Sequence, residues 1–330
     1  MRVKRIFLAG LLALGLAPGT FVRSALPAPD YASPVTITRL DTEPLRSGPL
    51  VLDGAWQLKS DNDHFGGYSA LVEWRPGLLL AANDAGRLMK LPRPDRSTDP
   101  VELDKFLNFE RADKTRVDIE SLTRDPATGQ IWAGLEWAQQ IIRFGPRLQR
   151  QEQVRPAEMK DWGGNSGPES LVRLRDGRFV VIEEQASGAG LHEALIFPGD
   201  PTGGASPVRF TFKGREDYRP ADAALLPNGK LVVLLRGVRW ALPPQFPALL
   251  VIADPAGIEK DAMLESRFLA RIDAPFPSDN FEGMTVVDEG DGSWTIWLIS
   301  DDNFTSYQRT LLLKLRWDLG QGQARQKARR

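Results

Sequence analysis

Carboxylates recur in this chain at one place in a repeating phrase. Ile119-Glu120-Ser121-Leu122, Pro168-Glu169-Ser170-Leu171, Ala221-Asp222-Ala223-Ala224-Leu225 and Phe281-Glu282-Gly283-Met284 each carry an acid. Tyr68-Ser69-Ala70-Leu71 carries a serine instead. The phrases recur about every fifty residues, and a second charged set follows each of them after about fifteen. That set is Asp84, Glu136, Glu183 with Glu184, Arg236, and Asp301 with Asp302. A repeat of this period marks copies of one supersecondary unit, and copies arranged alike bring equivalent residues together. Crowded carboxylates raise one another's pKa or take up a cation. Oxygen donors of this kind suit calcium or magnesium. Alternatively, one acid stays protonated beside an ionised neighbour and serves as a proton donor. Arg236 breaks the acidic pattern; it can neutralise a neighbour or hold a phosphate or carboxylate. A structural role stays open, in which the acids bind backbone amides and hold units together.

The elements that must position these residues are hairpins. Each phrase opens a short apolar run that turns at Pro76-Gly77, Pro126 to Gly129, Asp176-Gly177, Asn228-Gly229 or Gly290-Asp291-Gly292 into a second run. Asn-Gly and Asp-Gly between apolar runs are strong hairpin signals. Third strands are expected at 87–91, 141–144, 194–197, 248–253 and 310–315, and weaker fourth strands at 106–109, 208–212 and 267–272. Four antiparallel strands per unit make the chain all-β and predict a β-propeller of five or six blades, five being favoured. A sandwich or solenoid is the competing architecture. Strands at 35–40 and 54–58 lack partners in their own cycle, so they are expected to complete the last blade and close the ring. In such a blade the first strand lines the channel and the second runs back beside it. Both charged sets then lie around one channel mouth.

Composition bounds the rest. The 330 residues are 42% hydrophobic and 26% charged, with a formal net charge of -1. This is a globular balance with no field to attract nucleic acid. The absence of cysteine excludes disulfides, thiolate zinc and a cysteine nucleophile, and two histidines argue against a multi-histidine metal centre. Met1-Arg2-Val3-Lys4-Arg5, an apolar run at 6–17 and small residues up to Ala28 have the parts of a secretory signal peptide over 1–28. An uncleaved anchor is the alternative. The expectation is a soluble periplasmic or secreted domain over 29–319 with a disordered basic tail at 320–330.

Several other groups invite weaker readings. Asp61, Asn62, Asp63 and His64 form a polar turn or a cation contact before the first phrase. Ser69 lacks the strand-to-helix elbow of a hydrolase nucleophile, and its base would have to be His64 or His192. Trp132, Trp294 and Trp297 read as core, and Trp137 and Trp162 as candidates for ligand stacking.

Taken together, Phe65-Gly66-Gly67-Tyr68-Ser69-Ala70-Leu71, Asn83-Asp84-Ala85-Gly86, Asp118-Ile119-Glu120-Ser121-Leu122, Gly167-Pro168-Glu169-Ser170-Leu171, Asn280-Phe281-Glu282-Gly283-Met284 and Ser300-Asp301-Asp302-Asn303-Phe304 resemble the bacterial phytase-like domain, also labelled "esterase-like activity of phytase". The resemblance spans about 35–317. It implies a secreted, propeller-like protein whose repeated acids hydrolyse phosphate or related esters. The implied positions are Glu120, Glu169, Glu282, Asp84, Glu136 and Asp301, with Ser69 and Asp222 as variants of the phrase. Arg236 departs from a fully acidic ring.

Two functional readings follow. In the first, the protein is an extracytoplasmic hydrolase of a small phosphate ester or related ester. Glu120, Glu169, Glu282 and Arg236 act on the substrate. Asp84, Glu136, Glu184, Asp222, Asp301 and Asp302 hold a divalent cation, calcium foremost. In the second, it is a non-catalytic propeller that binds a ligand or an envelope protein on the same face.

Overall fold

A computed structural model describes residues 28–107, 117–164 and 166–318. The expected signal segment, the basic tail, part of the expected strand at 106–109, and Asn165 lie outside the described residues. The fold is all-β, built of several antiparallel sheets, with short 3-10 turns at Ala157–Met159, Pro201–Gly203 and Pro255–Gly257.

Each phrase opens a four-stranded unit. The first contains Tyr68–Arg75, Leu78–Asn83, Arg87–Pro92 and Glu102–Lys105, and the second Ile119–Arg124, Ile131–Leu135, Gln140–Phe144 and Arg150–Val154. The third contains Ser170–Arg173, Phe179–Gly188, Leu191–Phe197 and Val208–Lys213, and the fourth Tyr218–Leu225, Leu231–Gly237, Ala248–Ala253 and Met263–Ile272. The fifth contains Asn280–Asp288, Ser293–Asp301 and Thr310–Asp318, and takes its fourth strand, Leu50–Ser60, from the N-terminal part of the chain. Val35–Arg39 pairs outside that strand. The third and fourth units share one eight-stranded sheet through parallel pairing of Thr211–Lys213 with Met263–Glu265. The two ends of that sheet lie against each other, so it is nearly closed and barrel-like.

The sequence expectation missed two strands. Arg150–Val154 is polar and largely exposed, so no apolar run announced it. In the first unit the fourth strand is Glu102–Lys105. Phe106 and Leu107 instead turn inward and pack against Ile119 and Phe144.

Second strands such as Leu231–Gly237 and Ser293–Asp301 are buried on both faces, which is why they read as continuous apolar runs. Five hydrophobic clusters form, one between each pair of neighbouring units, and the fifth unit packs on the first through Trp297, Ile299 and Leu79. Along the first strands, side chains latch onto the next unit's backbone. Ser121 Oγ donates to the Pro168 carbonyl at 2.5 Å, and Ser69 Oγ donates to the Ile119 carbonyl. Thr123 Oγ1 accepts from Arg173 N–H at 3.0 Å, and Thr285 Oγ1 from Glu73 N–H at 3.2 Å.

Asp222 belongs to this series. It is fully buried, and its two oxygens accept from Ala223 N–H and from Met284 N–H of the fifth unit, each at 2.7 Å. Buried amides left without an acceptor cost about 1–3 kcal/mol each. Replacement Asp222→Ala is therefore expected to lower the unfolding free energy by about 2 kcal/mol or more, measured by urea denaturation. Ser121→Ala is expected to cost about 1 kcal/mol. Equal stability of both variants and wild type would remove the latch role.

A candidate acidic site at the starts of the first strands

The strand registers show which residues are equivalent. A β-bulge interrupts the first pairing in four units, between Tyr68 and Ala70, Ile119 and Ser121, Pro220 and Asp222, and Phe281 and Gly283. The extra residue is Ser69, Glu120, Ala221 or Glu282, and bulges re-aim side chains in this way. In the third unit Glu169 occupies this place, just before Ser170 pairs with Ile182. Along or just past the second strands, one step beyond the partner of the residue before each bulge, lie Asp84, Glu136, Arg236 and Asp301, and Glu184 takes this place in the third unit. Both sets gather at one end of the first strands, as the hairpin argument expected.

Asp222 does not join them. The bulge stands at the same place in the fourth unit, so by register Ala221 is the equivalent of Glu120 and Asp222 the equivalent of Ser121. This corrects its placement among cation ligands: its oxygens serve the backbone latch. Burial pushes its carboxyl well above the usual range, with the Met284 and Ala223 amides opposing.

Arg236 is the centre of charge balance. Its guanidinium donates to Glu184 Oε1 at 2.8 Å, to Asn280 Oδ1 at 3.1 Å and to Glu282. Arg219 reaches the other Glu184 oxygen at 3.3 Å, and Asn280 Nδ2 donates to Glu282 at 2.9 Å. Burial alone would lower the Arg236 pKa, but Glu282, Glu184 and Glu169 raise it above the usual arginine value. Its donors are thus engaged by protein acids.

The remaining acids stand close with less compensation. Glu120 is held well above the usual carboxylate range, first by desolvation and then by Glu169, Asp118, Glu282 and Glu136. Glu169 is raised likewise by desolvation, Glu184 and Glu136, against the pull of Arg236. Asp301 is raised by desolvation and then by Glu282, although Asn303 N–H donates to it at 2.6 Å. Each of these shifts favours the protonated form.

Two trios of carboxylates can each present oxygens within 4.8 Å of one another: Asp118, Glu120 and Glu136, and Glu136, Glu169 and Glu184. Oxygens on opposite sides of a calcium ion are about 5 Å apart, and all the donors are hard, so the residues fit such an ion. The first trio is the better candidate because Arg236 and Arg219 already claim both oxygens of Glu184. Asp118 escaped the sequence reading of the site. It precedes the phrase by one residue and is equivalent to Asn280.

Asp84 and Asp301 face Glu282 on the other side of the group. Asp302 holds the loop instead. It accepts from Gly67 N–H at 3.1 Å, from Phe304 N–H at 3.0 Å and from Thr310 Oγ1 at 2.9 Å. Gly67 has φ +66°, and a Cβ there would lie 2.7 Å from Asp84 Oδ1. This is the close approach that requires glycine.

The lesser candidates settle as follows. Asn62 accepts from His64 N–H at 3.0 Å and donates to the Asp30 carbonyl at 2.9 Å, making a polar turn. The Ser69 hydroxyl is engaged by the Ile119 carbonyl, and no base bonds to it. Trp162 is 6% exposed and donates to Glu193 at 2.7 Å, so it is core. Trp137 is exposed beside Glu136. Trp132, Trp294 and Trp297 are buried as expected.

Removing one partner of a buried ion network leaves uncompensated charge and costs about 3–5 kcal/mol. Arg236→Met is expected to lose about 3 kcal/mol at neutral pH. The deficit should shrink as pH falls through the raised range of Glu169, because the protonated carboxyl no longer needs the offsetting charge of Arg236. Thermal unfolding from pH 5 to pH 8 checks this. A deficit independent of pH would mean that Arg236 acts by packing alone.

No curated protein sequence matches the chain. Among solved structures, it is similar to hydrazine synthase of Kuenenia stuttgartiensis at 15% identity and a TM-score of 0.39, over 73% of this chain and 58% of that one. The chain thus spans less than two thirds of that relative. It is also similar to a luciferin-regenerating enzyme at 12% identity and a TM-score of 0.43, over 80% of this chain and 86% of that one. Neither likeness is close enough to carry a functional argument. The family model "Phytase-like: Esterase-like activity of phytase" matches residues 63–304, and the chain belongs to that phytase-like family.

Proposed function

We propose that this protein is a cation-dependent hydrolase of a small phosphate ester or related ester, acting at the acidic ends of the first strands. The observation that carries the reading is the Asp118–Glu120–Glu136 trio beside Glu169, whose carboxyl burial and neighbouring acids hold well above the usual carboxylate range. We read the five units as blades of one closed propeller, a reading supported by a hydrophobic cluster between every neighbouring pair. The N-terminal sequence supports periplasmic or secreted placement. Among the described residues, no helix is long and apolar enough to cross a membrane.

Charge sets the requirement for a cation. Glu120, Glu169, Glu282, Asp84, Glu136, Glu184 and Asp301 face two arginines, Arg236 and the more exposed Arg219, so the site opposes an anionic ester unless a cation or protons intervene. A divalent ion on Asp118, Glu120 and Glu136, calcium foremost, would polarise the ester oxygen and acidify a water. Glu169 donates its proton to the leaving-group oxygen. Arg236 holds Glu184 and Glu282 in place and offsets their charge. A phosphate reaching Arg236 must displace one of these acids.

The acid groups also set stability. Because Glu120, Glu169 and Asp301 bind protons more tightly when folded, the cation-free protein is expected to lose stability as pH rises above the ordinary carboxylate values of 4.5 and 3.8. Unfolding in EDTA should therefore occur at lower temperature at pH 8 than at pH 6. Added calcium should restore stability most at the higher pH, because binding requires ionised ligands. A melting temperature indifferent to calcium and magnesium at both pH values would remove the cation.

Activity is tested with p-nitrophenyl phosphate and p-nitrophenyl acetate in calcium and in EDTA. Turnover is expected with calcium only, and Glu169→Gln should lower kcat by about 10²–10⁴-fold. Glu120→Gln should weaken calcium binding. Cation binding without turnover of either ester class would favour the second reading, a non-catalytic ligand-binding protein. That reading has its own support: Trp240 and Leu242, 91% and 100% exposed, stand on the loop that follows Arg236.

A further inference from the structure

The opposite ends of the first strands enclose a second feature. A cavity of about 480 Å³ is lined there by all five first strands and the turns that follow them. It lies away from the acidic residues, which sit at the strand starts. Its charged lining is Glu73, Arg124, Asp125, Arg173, Arg175 and Asp288. Between these groups the walls are mostly apolar, including Leu71, Val172 and Met284. An apolar pocket of a few hundred Å³ with a few convergent polar groups has the character of a small-molecule site.

The three acids are tied to their own hairpin turns. Glu73 accepts from Gly77 N–H at 3.3 Å and Asp288 from Gly290 N–H at 3.0 Å. Asp125 accepts from Ala127 N–H at 3.0 Å and from Thr128 Oγ1 at 2.9 Å. The arginines are less fully engaged. Arg175 donates to the Pro227 carbonyl. Arg173 reaches the Leu174 carbonyl at 3.3 Å and Asp125 at 3.5 Å. The Arg124 Nε is buried without a hydrogen bond, and its guanidinium forms no ion pair among the described residues. Desolvation lowers the Arg124 pKa, with Glu73 and Asp125 opposing. A half-buried guanidinium without an acceptor is costly, and its planar fork matches an oxyanion.

We propose that this cavity is a second ligand site, which takes a small oxyanion, phosphate or carboxylate, on the guanidinium groups of Arg124 and Arg173. The site is independent of any cation at the acidic end.

Calorimetric titration of the full chain in EDTA, with sodium phosphate and separately with sodium acetate at constant ionic strength, tests it. EDTA removes cation-mediated binding at the acidic end. One oxyanion per chain is expected to bind, with affinity reduced at least tenfold in Arg124→Gln and in Arg173→Gln. Glu120→Gln should bind as wild type. Binding of phosphate alone marks a phosphoryl site, and binding of both anions a general oxyanion site. Two results overturn the proposal: no binding of either anion, or unchanged affinity in both arginine variants. Should one arginine variant fail to fold, the other still decides.

Discussion

Mutual repulsion among carboxylates at the starts of the first strands is the constraint that everything around them answers. The folding units bring these acids together whether or not their charges agree, because the hydrophobic clusters between units dictate the packing. Three responses to the repulsion are visible. Glu120, Glu169 and Asp301 are driven toward the protonated form. Arg236 is drawn in and engaged by Glu184 and Glu282. The Asp118–Glu120–Glu136 trio is left with the spacing of a hard cation. The crowding costs stability that Arg236 only partly offsets, and such costs are typical of sites that act on a ligand.

The interfaces between units divide the labour. Apolar clusters supply the non-directional burial, and the Ser69, Ser121, Thr123, Asp222 and Thr285 bonds tie neighbouring first strands together. A small displacement of one first strand would alter every carboxylate distance at its start. The latches therefore act on the chemistry without touching it. Asp302 and Gly67 do the same for the loop that carries Asp84.

The two ends of the first strands differ in how charge is handled. At the starts, acids crowd, and Arg236 with Arg219 offsets only part of their charge. At the ends, each acid is capped by a turn amide or hydroxyl, and Arg124 remains without an acceptor among the described residues. The same strands thus present opposite electrostatic problems at opposite ends.

Much of this was legible in the sequence. The period of the phrase, the Asn-Gly and Asp-Gly turns and the alternation of apolar runs set the five hairpins, because each signal is local. Hairpin-sized spacing after each phrase marked Asp84, Glu136, Glu183 with Glu184, Arg236, and Asp301 with Asp302 as one set. The polar strand Arg150–Val154 was invisible because exposure on an edge leaves no apolar pattern. Asp222 was misplaced because aligning the phrases by their acids hides that the acid of the fourth unit lies one position later, and one residue reverses the face of a strand. Which carboxylates share a proton, which form a cation-sized trio, and that Arg236 turns to Glu184 and Glu282, were decided only by the tertiary structure. Those outcomes depend on distances between residues of different units, and only the packing of the units sets those distances.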